Sequence, residues 1–87
     1  MEKKFKVNIL TPLQEVYSGE ATSLIVPAAK GYLGILANHA PLVAKLVPGK
    51  ITLKAGSKEP FVFISKSEGL LEVSGNNVSI LLDNDNP

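Results

Sequence analysis

The sequence predicts an all-β fold, an antiparallel sandwich or barrel, on three observations. Apolar and polar residues alternate with period two in several separate runs. Polar turn clusters divide those runs at short intervals. The helical period of 3.6 hardly appears anywhere in the chain.

Phe5, Val7 and Ile9 alternate with Lys6 and Asn8, so the first strand carries one apolar face. The cluster "YSGE" (Tyr17 to Glu20) predicts a turn, and "SLIV" (Ser23 to Val26) reads as a strand with both faces buried. "PGK" (Pro48 to Lys50) has the composition of a type II turn, because Pro fixes φ and Gly tolerates positive φ. Ile51, Leu53 and Ala55 then alternate with Lys50, Thr52 and Lys54. "AGSKEP" and "SGNN" are further turn clusters, and "PFVFIS" (Pro60 to Ser65) predicts another strand with both faces buried. Val78, Ile80 and Leu82 restore the alternation near the end. The one candidate helix is "HAPLVAKL", His39 to Leu46, with Asn38 as cap and Pro41 in its first turn. Pro48 limits it to about two turns, and an extended segment fits equally well. The polar start around Lys3 and Lys4 and the tail "DNDNP" read as frayed ends.

Eighty-seven residues make one domain, 1–87, with no repeat or linker. Nine lysines, no arginine and a net charge of +1 argue against a nucleic-acid partner, since Arg supplies the planar fork that clamps phosphates and reads guanine. With no cysteine there are no disulfides, thiolate nucleophiles or thiolate metal sites. No apolar run approaches the roughly 18 residues of a membrane span, and the first residues lack the pattern of a signal peptide.

Catalytic chemistry finds no footing. His39 is the single histidine, and its candidate acidic partners, Asp83 and Asp85, lie in or beside the polar tail. Glu68 and Glu72 are the nearest approach to a metal pair, and two carboxylates four apart on a strand read better as a solvated face. Gly31 and Gly34 match neither a phosphate loop nor a dinucleotide fingerprint. No catalytic residue, cofactor site or metal site is predicted. The stretch "GYLGILANHAPL" (Gly31 to Leu42) therefore reads as shape. Its glycines allow a bend, and "HAPLV" is either a stiffened loop held by its imidazole or an exposed ridge for another protein.

That same stretch carries a resemblance. "GYLGILANHAPLVAKLVPGKI" is similar to the signature of the epsilon subunit family of F-type ATP synthases, with Gly31, Leu33, Gly34, Ile35, Leu36, His39, Ala40, Pro41, Leu42, Leu46, Pro48 and Gly49 in place. "ILTPLQEVYSGEA" resembles the family's opening strands, and "GLLEVSGNNVSILLD" its closing hairpin. The resemblance runs collinearly through nearly the whole chain.

It implies a flattened antiparallel β-sandwich of about ten short strands and a subunit without catalysis. In the family that subunit joins the gamma subunit of the central stalk to the membrane-embedded c ring, so that ion-driven rotation reaches the catalytic sites. The carried-over gamma contacts are Thr11, His39, Ala40, Pro41, Leu42 and Val43. The carried-over c-ring contacts are Lys30, Gly31 and Tyr32, with Tyr32 standing where an acidic residue is common. The implied location is peripheral, on the cytoplasmic face of a bacterial inner membrane or the stromal face of a thylakoid. Family members continue into an inhibitory helical hairpin after the position of "LLD". The expectation is that this polypeptide, ending at Pro87, lacks hairpin inhibition and hairpin ATP binding, and its tail favours a natural end. The competing reading is an unrelated β-sandwich that binds a peptide or ligand, against which the absence of Trp and the two tyrosines weigh.

Overall fold

A computed structural model describes residues 3–83. Nine strands follow in chain order among these residues: β1 Phe5–Leu10, β2 Glu15–Ala21, β3 Ser23–Ala28, β4 Gly31–Leu36, β5 Leu42–Leu46, β6 Gly49–Lys54, β7 Phe61–Ser65, β8 Gly69–Ser74 and β9 Asn77–Leu82. No helix occurs among them, so the all-β prediction holds. "HAPLVAKL" takes its extended alternative, because Leu42–Leu46 pairs residue by residue with Val73–Gly69 of β8. Five ladder positions outweigh the weak helical preference of a segment flanked by prolines.

The strands hydrogen-bond in the order β2-β1-β9-β8-β5-β3-β6-β7, with β4 on the other edge of β3. All pairs are antiparallel except β1 and β9, which run parallel with Lys6 opposite Asn77 and Leu10 opposite Leu81. These are the first and last strands, so no hairpin dictates their relative direction. The path turns sharply at β5 and β3, which share only the Ala28–Leu46 bridge. Val47 N–H to the Pro27 carbonyl (2.9 Å) and Ala29 N–H to the Lys45 carbonyl (3.0 Å) hold that corner. Two layers result, β2-β1-β9-β8-β5 and β4-β3-β6-β7. The outermost strands meet where the Tyr17 and Phe61 rings lie 5.2 Å apart.

Inward residues of both layers form one core, including Val7, Ile9, Leu24, Val26, Ile35, Leu46, Ile51, Leu53, Leu71 and Ile80. Each such side chain contributes about 1.5–3 kcal/mol by leaving water. Three local predictions fail. "YSGE" lies inside β2, where the Tyr17 hydroxyl donates to the Glu20 carbonyl at 3.0 Å. "SLIV" and "PFVFIS" are one-sided, because Ile25, Val62 and Ile64 are exposed. "PGK" needs no positive φ: Gly49 is absent from the positive-φ glycines and begins β6. A glycine is required there for space, since a Cβ would lie 2.8 Å from the Pro27 Cβ.

The loops gather at two ends of the sandwich. The β8–β9 turn, the β6–β7 turn and the β4–β5 loop form one end; the β1–β2, β3–β4 and β7–β8 connections form the other. Strands of about six residues separate the ends by roughly 17–20 Å.

Candidate functional site

The β4–β5 loop turns on Asn38, whose φ of 65° places it in the left-handed region that Asn tolerates better than most residues. Next, His39 N–H donates to the Leu36 carbonyl at 3.2 Å, closing the turn. The His39 Nδ1 lies 2.7 Å from the carbonyl of Ala40. A carbonyl only accepts, so Nδ1 carries the hydrogen and the ring is fastened to its own loop. Ala40 and Pro41 are exposed, Leu42 is half-buried against the core, and Val43 is 63% exposed on β5. A loop-stiffening imidazole and a protruding ridge therefore coexist here. Among the described residues His39 has no acidic partner across the fold: Asp83 N–H bonds the Glu68 carbonyl at the opposite end. Asp85 lies outside the described residues. Among the described residues no three His, Cys, Asp or Glu side chains group as metal ligands.

Ala29 and Lys30 form the β3–β4 turn, and Gly31, with a φ of 122°, begins β4. Tyr32, 63% exposed, leans over Pro27 and Gly49, and its hydroxyl accepts the Lys50 N–H at 3.3 Å. That anchoring leaves the hydroxyl's own hydrogen available to an outside acceptor.

Beside this turn, among the described residues β5 has a partner on one side only, apart from its Leu46 bridge to β3. The resulting gap between β4 and β5 is a groove of about 510 Å³, with apolar walls from Ala28, Leu33, Leu42, Val43 and Ala44 and a rim of Lys30, Tyr32 and Lys45. Two groups of residues that the resemblance assigns to different neighbours, Leu42 with Val43 and Lys30 with Gly31 and Tyr32, thus line one depression.

Thr11 lies apart from the ridge, at the opposite end from His39. Its Oγ1 accepts Leu13 N–H (3.2 Å) and Gln14 N–H (3.1 Å), and its backbone N–H bonds the Gln14 carbonyl at 2.9 Å. Its side chain braces the β1–β2 loop, at whose tip Leu13 is 77% exposed. On the outer face beside that loop, Leu10, Leu81, Leu70 and Lys45 stand opposite one another in one cross-strand row. Leu70 and Leu81 are exposed, and Lys45 forms a solvent-facing ion pair with Glu68 at 3.6 Å. Leu13, Leu70 and Leu81 are not among the contact residues expected from the sequence. For the two strand residues the available signal was their position out of phase with the buried Leu71, Ile80 and Leu82. The outer face of the other layer carries Ile25, Leu36, Val62 and Ile64, also exposed.

Comparison with known proteins gives a consistent result. The family described as "ATP synthase, Delta/Epsilon chain, beta-sandwich domain" matches residues 4–85. The ATP synthase epsilon chain of Leptospira interrogans is 44% identical over 80 residues, covering 92% of this chain and 61% of that relative. The epsilon chain of Dichelobacter nodosus is 39% identical over 84 residues, covering 95% of this chain and 57% of its own length. The chain thus spans about 60% of the length of these curated relatives. Among solved structures, a chain of the Euglena gracilis mitochondrial ATP synthase OSCP/F1/c-ring assembly superposes with a TM-score of 0.83 at 16% identity, covering 91% of this chain and 50% of its own. A chain of the Tetrahymena thermophila mitochondrial ATP synthase central stalk/c-ring gives 0.78 at 19% identity, covering 95% and 66%. At such identities the superpositions speak to fold alone.

Proposed function

The chain belongs to the ATP synthase delta/epsilon β-sandwich family, and from that premise we propose that it is a non-catalytic central-stalk subunit that fastens the gamma subunit to the c ring. Ion-driven rotation of the ring then reaches the catalytic sites through this joint. The observation that carries the proposal is the family match over residues 4–85, supported by an apolar groove that opens beside the largely exposed His39–Val43 segment. The ridge His39–Val43 and the walls of the adjoining groove take gamma, with Thr11 holding a second contact loop at the far end. Lys30, Gly31 and Tyr32 take the polar loops of the c ring, Tyr32 by hydrogen bonding where charge is absent. One groove reaching both sets of residues suits a subunit that must touch both neighbours at once. The subunit is peripheral, on the cytoplasmic face of a bacterial inner membrane or the thylakoid stromal face. In support, no helix among the described residues is long and apolar enough to cross a membrane.

Reconstitution tests the role. Added to epsilon-depleted ATP synthase from its own source in sealed vesicles, the chain should restore ATP-driven ion pumping. Unchanged pumping, with the chain bound at one copy per complex, would contradict the coupling role.

A further inference from the structure

Asn38 and Asn76 lie 38 residues apart and grip each other across two loops. The Asn38 N–H donates to Asn76 Oδ1 at 2.7 Å, and Asn76 Nδ2 donates to Asn38 Oδ1 at 3.2 Å. The carbonyl of Asn76 also accepts the Lys6 N–H at 2.8 Å. Asn76 therefore ties together the start of β1, the β8–β9 turn and the β4–β5 loop. It does so at the residue immediately before His39, where the backbone takes its left-handed turn. Without it, the hydrogen bonds shown for the ridge are the His39–Leu36 turn and the local His39–Ala40 contact.

We propose that Asn76, through Asn38, is a positioning residue that presets the His39–Pro41 ridge for docking; this rests on the gamma-docking reading above. Both asparagines are exposed, so the pair contributes little to the core. Its effect is to lower the conformational freedom the loop must surrender when a partner binds. A loop ordered beforehand binds more tightly by the entropy already lost, which for one or two exposed hydrogen bonds is roughly a 3- to 10-fold gain in affinity.

The test combines amide hydrogen exchange with titration into the purified gamma subunit, for the unaltered chain and for Asn76→Ala, Asn38→Gly and Asn76→Asp. Asn38→Gly keeps the left-handed turn while removing one arm of the pair. Asn76→Asp keeps an acceptor for the Asn38 N–H. Asn76→Ala should speed exchange at the His39 amide several-fold, leave the β1 and β8 interior amides and the urea midpoint unchanged, and weaken gamma binding roughly 3- to 10-fold. Asn38→Gly should show the same pattern more mildly, and Asn76→Asp should recover most of the loss. Unchanged exchange at His39 in Asn76→Ala overturns the proposal, and so does faster exchange with undiminished gamma binding. Failure of the unaltered chain to bind gamma overturns the docking reading and this role with it. The exchange pattern, read on the free chain, still shows whether the pair orders the loop, so the two failures are told apart.

Discussion

At the scale of single residues, two positions separate shape from contact. Gly49 fits against Pro27 and the Tyr32 hydroxyl, with an added Cβ meeting them at 2.8 Å and 3.2 Å. Gly49→Ala should cost about 1–3 kcal/mol of stability through overpacking, read as a lowered urea midpoint. The same change should loosen Tyr32, since the strand start that receives its ring would have to shift. His39 is the opposite case. Among the described residues its ring bonds only its own loop, and the residue is half-exposed, so His39→Ala should change stability by less than about 1 kcal/mol. Gamma binding should fall with it. A large loss of stability, with binding by the folded fraction intact, would make this histidine purely structural.

Among the elements, β5 joins the core to the groove. It pairs with β8 along its full length, buries Leu46, and turns Val43 to solvent beside a groove. Val43→Asp should therefore leave the fold within about 0.5 kcal/mol of the original, as exposed substitutions do, while a charge at an apolar contact reduces gamma binding at least tenfold. Equal affinity for the two forms would remove β5 from the interface. The legible elements were those with one polar face, such as β1, β6 and β9. The sequences of β3 and β7 look two-sided because Ile25, Val62 and Ile64 sit on the solvent face, and an apolar residue in water leaves no local mark. β2 was hidden by Ser18 and Gly19, residues of turns that here extend a ladder facing β1. β5 could not be told from a helix because its partner, β8, lies more than twenty residues away. Of the candidate site, the sequence leaves His39–Val43 open between a stiffened loop and an exposed ridge, because exposure depends on what packs against it. The groove was not legible, since it exists only where β4 and β5 part, and neither was the Asn38–Asn76 grip, which no local pattern encodes.

For the molecule as a whole, the central claim is that this sandwich is a connector. A core closed between two layers leaves a body about 37 by 25 by 20 Å, with loops at two ends and a groove along one flank. Such a body transmits torque only if it is held at more than one place, and the groove adjoins both the ridge and the Lys30–Tyr32 turn. The most direct measurement is a calorimetric titration of this chain into the gamma subunit of its own ATP synthase, repeated at several temperatures. The account predicts one-to-one binding with a negative heat-capacity change, the mark of apolar surface leaving water. A folded chain that gives no heat and no complex with gamma at any temperature would contradict it.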